Sequence, residues 1–321
     1  MAKSLHPERE TQNRIVKFFE KELGYKYLGN LEAEANFNVR WGDWKKFLSD
    51  SGYSAQFVES LQNEFFKTLN DFSKSPYHTN KEVYRILKYG LKLAEFPGES
   101  PKTVYFINWE EPEKNNFYIA EEVTVNGNVE KRPDIVLYIN GIAIAVMELK
   151  KSTVSVADGI RQNVTNQREQ FIQRFFSTIQ ICVAANDSEG LRYGTSGTTE
   201  KYYLEWKEDN FTDQLQDKDD LDKILEGKCS KQLNLLEQQC YRIFQKERLL
   251  DIIHNFIIFD SGIKKICRYN QFYAIKRCEK RLSRNQGGIV WHTQGSGKSL
   301  TMVWLAKWIL ENIKDSRVLI I

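Results

Sequence analysis

The chain has 321 residues, 41% hydrophobic and 28% charged, a balance that excludes a disordered polymer and fits a globular protein long enough for two cores. No apolar run approaches the roughly 20 residues of a membrane span, and Met1–Pro7 lacks the apolar core and small-residue cleavage site of an export signal, so a cytoplasmic location is expected. Residues 226–321 carry 17 Lys/Arg against 8 Asp/Glu, while residues 1–225 carry 29 against 35, so the basic part that would favour a phosphate-rich partner is C-terminal.

In chain order, Ile15, Phe18, Phe19 and Leu23 have the spacing of an amphipathic helix over Thr11–Leu23, stopped by Gly24. Two more helices are expected over Ala55–Leu69 and Thr79–Leu93. After Pro97-Gly98 the texture turns to strands at Thr103–Asn108, Asn116–Val125, Ile135–Ile139 and Ile142–Leu149. A helix over Gln162–Phe176 and a buried strand over Thr178–Ala184 follow. The acid-rich stretch Lys207–Lys223 reads as a domain boundary, and Leu233–Phe259 as helical. The five cysteines (Cys182, Cys229, Cys240, Cys267, Cys278) form no C-x-x-C pair, which argues for reduced, buried thiols rather than a disulfide framework or a zinc site.

The first group of residues with chemical potential is Arg132-Pro133-Asp134, an apolar strand, Asn140-Gly141, a second apolar strand, then Glu148-Leu149-Lys150. Asn-Gly between apolar runs signals a hairpin, which brings Asp134, Glu148 and Lys150 together at its open end. Glu148 and Lys150 are two apart on a strand and share a face. Apolar flanks make these charges costly unless they are paired or bind an ion, and two converging carboxylates suit Mg²⁺. Lys150 would then orient or deprotonate an attacking water. Register tests the idea. A strict two-residue loop opposes Ile139 to Ile142 and carries Asp134 against Met147, leaving the two carboxylates on opposite faces. The site therefore requires an even sum of opposed residue numbers, from a three-residue loop with a Gly141 bulge or from a bulge inside the hairpin.

The second group is His292-Thr293-Gln294-Gly295-Ser296-Gly297-Lys298-Ser299, between an apolar strand (Gly288–Trp291) and a helix (Leu300–Leu310). This is the setting of a phosphate-binding loop: backbone N–H groups of Gly295, Ser296 and Gly297 and the helix N-terminus cradle phosphates, Lys298 reaches the β/γ-phosphates of ATP, and Ser299 holds the nucleotide's Mg²⁺. His292 stands where the strict pattern has Gly. Upstream, Arg268-Tyr269-Asn270-Gln271 offers a Gln amide able to read an adenine edge, with Arg or Tyr to stack on its face.

The hairpin residues resemble the PD-(D/E)xK nuclease superfamily, a resemblance that implies metal ligation by Asp134 and Glu148 and catalysis completed by Lys150. It also implies an acidic residue from the first helix, here Glu10 or Glu8, and a Gln-x-x-x-Tyr motif on the next helix, here Gln167 to Phe171 with Phe in place of Tyr. Arg268 and Gln271 resemble the Q motif of superfamily 2 helicases. Together with Glu10-Thr11-Gln12, Leu23-Gly24-Tyr25 and Glu247-Arg248-Leu249-Leu250-Asp251, these residues resemble the motor subunit of type I restriction enzymes. That resemblance implies an α/β fold: a mixed nuclease-like sheet flanked by helices over 1–225, a helical linker over 226–261, and the first part of a RecA-like P-loop domain over 262–321. It further implies a type I site-specific deoxyribonuclease that uses Mg²⁺ and ATP, acting on double-stranded DNA with modification and specificity subunits and coupling cleavage to translocation. An Asp-Glu motif after the phosphate loop is absent from the 321 residues, so this stretch alone is expected to bind nucleotide without turning it over. A P-loop kinase or GTPase with an unrelated N-terminal domain, and a non-catalytic nucleic-acid-binding module with a structural acidic cluster, are the alternative readings.

Overall fold

The computed structural model describes residues 8–71, 73–207 and 233–320. In chain order they form α1 (Glu8–Lys21), β1 (Lys26–Asn30), α2 (Trp41–Asp50), α3 (Ala55–Leu69), α4 (Pro76–Tyr89), β2 (Leu91–Leu93), β3 (Lys102–Val104), β4 (Phe117–Glu121), β5 (Ile135–Ile139) and β6 (Ile142–Leu149). There follow α5 (Val156–Asn166), β7 (Ile181–Asn186), β8 (Gly190–Gly194), α6 (Leu235–Phe244), α7 (Lys246–Asn255), β9 (Ile257–Asp260), β10 (Ile263–Ile266), α8 (Tyr269–Leu282) and α9 (Lys298–Asn312).

A six-stranded sheet in the order β1-β4-β5-β6-β7-β8 occupies the centre. It is mixed: β1 runs parallel to β4 and β6 parallel to β7, while the other neighbours are antiparallel. Central β5 and β6 are buried along their whole length, which is why they read as continuous apolar runs rather than as alternation. One face (Ile135, Leu137, Met147, Ile181, Val183) packs on Ile15 and Phe19 of α1, Trp44 of α2, Phe65 of α3 and Phe244 of α6. The other (Val136, Tyr138, Val146, Cys182) is covered by Ile172, Phe175, Phe176 and Ile179. Each such aromatic or branched side chain contributes roughly 1.5–3 kcal/mol by leaving water.

The turn between β5 and β6 is the two-residue Asn140-Gly141, with φ of +50° and +82°, the double left-handed geometry that matches the strand twist. Asn140 tolerates it because its side chain is fully engaged, donating to the Phe106 carbonyl and to Asn115 Oδ1 and accepting from Asn116 N–H. Gly141 is required for a second reason: a Cβ there would lie 2.6 Å from the Arg40 carbonyl and 2.8 Å from the Trp44 amide nitrogen. The turn is seated against the start of α2, where Arg40 N–H donates to the Gly141 carbonyl at 2.7 Å.

The C-terminal elements pack onto the same body. Tyr25 and Tyr84 donate to the Phe244 and Ile253 carbonyls at 2.8 and 3.0 Å. Helix α9 rests on Phe256 through the buried Trp304, and its last turn places Glu311 against the buried Lys88 of α4 at 3.0 Å. Among the described residues no helix is long and apolar enough to cross a membrane. Cys182, Cys240 and Cys267 are buried free thiols and Cys278 is partly exposed, as expected; Cys229 lies outside the described residues.

Several expected elements differ. The helix expected over Gln162–Phe176 starts six residues earlier and ends at Asn166; Ser155 caps it, and the chain then turns so that Phe175 and Phe176 cover the sheet in a 3₁₀ turn. The long helix over Leu233–Phe259 is two helices followed by a strand. The segment expected as a strand at Gly288–Trp291 forms no ladder, with Ile289 91% and Trp291 89% exposed. A strand is made by its neighbours' hydrogen bonds, and among the described residues none lies beside this segment. Apart from Lys207, the acid-rich stretch expected as a boundary falls outside the described residues.

Candidate active site

The hairpin solves the register problem with a bulge. Next to the turn, Ile139 faces Ile142 and Tyr138 faces Ala143, but beyond it Leu137 faces Ala145, Val136 faces Val146 and Ile135 faces Met147. Ile144 is the extra residue, and both Ile144 and Ala145 lie on the α1 side of the sheet. The shift gives the even register, setting Asp134 and Glu148 on the same face with Val136 and Val146.

Asp134 Oδ2 accepts the Leu149 N–H at 2.6 Å. Glu148 is fully buried; its Oε1 accepts from Asn166 Nδ2 at 3.2 Å, while its Oε2 is buried with no hydrogen-bond partner. Burial pushes the Asp134 carboxyl up to about 6, against the opposing pull of the Leu149 N–H and of Lys150. Burial, followed by the charge of Asp134, pushes Glu148 up as well, again opposed by Lys150. Lys150 donates to the Leu149 carbonyl at 2.8 Å and lies 3.8 Å from Glu8.

Two carboxylates on one wall, one with an orphaned buried oxygen, form a donor set short of positive charge. A divalent cation fits that deficit, with Asp134 and Glu148 as its protein ligands. Among the described residues no group of three or more His, Cys, Asp and Glu converges in a metal-holding cluster, so such an ion would keep water or phosphate oxygens in its remaining positions, the habit of Mg²⁺.

The two accessory expectations, an acidic residue from Glu10 or Glu8 and Gln167, fall in different places. Glu10 is exposed, and it is Glu8, two residues earlier and on the opposite side of α1, that approaches Lys150. Gln167 does not reach the carboxylates. Because α5 ends at Asn166, Gln167 turns away, donating to the Asn163 carbonyl at 3.0 Å and accepting from Gly197 N–H at 2.7 Å. It lines a separate cavity of about 630 Å³ with Asn80, Phe171 and Lys264. The helix residue that touches Glu148 is Asn166, the last residue of α5, which the sequence reading did not single out.

At the second site, Gly295 and Gly297 take φ of +77° and +87°, and α9 begins at Lys298. Lys298 Nζ lies 3.5 Å from the His292 carbonyl. Gln271 accepts from Arg268 N–H at 2.8 Å and donates to the Gly297 carbonyl at 2.9 Å, while the Arg268 side chain reaches the Gly295 carbonyl at 3.3 Å. The Gln271 amide thus fastens the start of α8 to the glycine loop, and an adenine edge would have to displace both bonds. Ser299 follows Lys298 in the first turn of α9.

Residues 6–201 match the family described as type I restriction enzyme R protein N terminus, nearly two thirds of the chain. The chain belongs to that family. Residues 270–321 match the SWI2/SNF2 ATPase family. Relatives of this R protein N terminus include the putative type I restriction enzyme MjaIXP endonuclease subunit of Methanocaldococcus jannaschii, 27% identical over 97% of this chain and 32% of the relative. The MjaVIIIP endonuclease subunit of the same organism is 28% identical over 96% and 30%. The HindI endonuclease subunit of Haemophilus influenzae is 27% identical over 72% and 22%. The chain spans about a third of the length of the first two relatives.

Proposed function

We propose that the chain supplies the DNA-cleaving site and the start of the nucleotide-binding motor of a type I restriction complex. In this reading the six-stranded sheet is a PD-(D/E)xK nuclease core extending to about residue 225. Residues 226–261 link it to a RecA-like P-loop domain that starts near residue 262. Its partners are double-stranded DNA and the modification and specificity subunits. The observation that carries the reading is the bulge at Ile144, which costs a ladder hydrogen bond and serves to bring Asp134 and Glu148 onto one face.

The chemistry follows from the residues. Asp134, fixed by the Leu149 N–H, and Glu148, fixed by Asn166, would hold Mg²⁺ between them. The ion, when bound, would offset the charge that builds on the scissile phosphate. Lys150, held near this wall by the Leu149 carbonyl and Glu8, is placed to orient the attacking water and to offset charge beside it. In the loop, Gly295, Ser296 and Gly297 would cradle the phosphates of ATP, Lys298 neutralise them, and Ser299 contribute its hydroxyl to the nucleotide's Mg²⁺. ATP binding and translocation then drive cleavage in the complete subunit.

Plasmid cleavage by the assembled complex tests this. Cutting that requires Mg²⁺ and disappears in Asp134→Ala, with DNA binding retained, is the expected result. Undiminished cutting by Asp134→Ala overturns it.

A further inference from the structure

The chain between β4 and Asp134 departs from regular geometry where regularity would be easiest. Glu122 follows the last residue of β4 with φ +50°, outside any tight turn. For a side chain with a Cβ, this left-handed backbone costs about 1–2 kcal/mol, which Asn or Gly would largely avoid. Its consequence is local. The N–H groups of Glu122 and Val123, neighbours in sequence, donate to the neighbouring carbonyls of Asp134 and Pro133, at 2.9 and 3.1 Å. An antiparallel ladder, which pairs alternate residues, does not allow that.

The side chain shows why glutamate stands there. Glu122 is mostly buried and collects three donors: Arg9 at 3.1 Å, Arg132 at 2.9 Å and Gln12 Nε2 at 3.0 Å. Gln12, 2% exposed on α1, donates with the same Nε2 to the Asp134 carbonyl at 3.2 Å. A closed circuit results, from Gln12 to the Glu122 carboxylate, along Glu122 to its own N–H, and across to the Asp134 carbonyl, which accepts from both. With the Leu149 N–H on its carboxylate, Asp134 is pinned at both ends.

We infer that Glu122 and Gln12 are positioning residues that fix the peptide of Asp134, and so aim its carboxylate at the cation shared with Glu148. The inference rests on the reading of Asp134 and Glu148 as cation ligands, but the geometric part stands apart from it. Glu122 touches neither reacting atoms nor cation; it holds the backbone from which Asp134 projects.

Glu122→Gly discriminates positioning from mere structure, because glycine adopts φ +50° freely and relieves the strain while deleting the carboxylate. Two readouts on the 321-residue chain serve, Mn²⁺ affinity by electron paramagnetic resonance and hydrogen exchange of the Leu149 amide. Glu122→Gly should remain folded by circular dichroism, the relieved strain offsetting part of the lost hydrogen bonds, yet bind Mn²⁺ about 10-fold more weakly. Its Leu149 amide should exchange about 10-fold faster, since that bond opens when the Asp134 backbone is loosened. Gln12→Ala should shift both readouts in the same direction. Glu122→Gln, which keeps an acceptor for Gln12, should stay near wild type. The inference is overturned if Glu122→Gly retains both the Mn²⁺ affinity and the Leu149 protection. Asp134→Ala serves as control: if it leaves Mn²⁺ affinity unchanged, the cation reading falls, and Leu149 exchange alone still decides whether Glu122 and Gln12 hold the Asp134 peptide.

Discussion

Replacing Asp134 by Asn should end cleavage and make the metal-free chain more stable. The Asp134 carboxyl, pushed up to about 6 from an ordinary 3.8, is harder to ionise in the folded chain than in the unfolded one. The sign follows: this group's contribution to stability is fully present below about pH 4 and is lost as pH rises through about 6. The gap corresponds to about 3 kcal/mol at about 1.4 kcal/mol per tenfold, and the partly exposed edge of the side chain trims this to about 2–3 kcal/mol. The Asp134→Asn substitution removes that penalty at pH 8. Its side-chain oxygen still accepts the Leu149 N–H, and its amide N–H turns toward the orphaned Oε2 of Glu148. For a body of this size a gain of that order raises the melting temperature by about 4–12 °C. Thermal unfolding in EDTA at pH 4.5 and pH 8 measures it: the advantage should be small at the lower pH and full at the higher. Adding Mg²⁺ should stabilise wild type and not the variant, narrowing or reversing the order. A variant less stable than wild type at pH 8, or equally favoured at both pH values, would refute the reasoning.

Inserting one alanine between Val146 and Met147 opposes Asp134 to Met147 and turns Glu148 to the other face; cleavage and Mn²⁺ binding should both vanish, while circular dichroism still reports a folded chain of reduced stability. Lys298→Ala should abolish nucleotide binding in an equilibrium dialysis assay and leave Mn²⁺ affinity at Asp134 and Glu148 unchanged, since the two sites share no residue. Glu311→Ala strips the buried Lys88 of its partner and should cost about 1–3 kcal/mol in urea unfolding, below the range for a fully buried pair because Glu311 is partly exposed.

What the sequence could reveal was what neighbouring residues decide. Asn140-Gly141 declares its turn by backbone preference alone, and the bounds of β5, β6 and α3 follow from apolar runs between breakers. The bulge was legible for a different reason: chemistry demanded one face and the turn forbade it, so the chain had to gain a residue. Contacts distant in sequence were invisible. β1 pairs with β4 some 90 residues away, and α5 gives way after Asn166 because Phe175 and Phe176 are needed on the sheet. Asn166 reaches Glu148 only once that helix boundary is known. Gln271 looked free to read a base, and nothing in its neighbours showed that the glycine loop would take its amide.

The seat of the turn at Gly141 makes the hairpin a rod clamped at one end and working at the other. Seven residues of strand, about 23 Å at about 3.3 Å each, separate the Arg40 carbonyl that touches Gly141 from the oxygens of Glu148. A methyl group added at Gly141 meets backbone on α2, which cannot step aside as a side chain would, and the displacement has nowhere to go but along β5 and β6. A position with no functional group is therefore among the least forgiving in the chain, and a loss of cleavage arising there would look, from its location, as if it had nothing to do with the carboxylates.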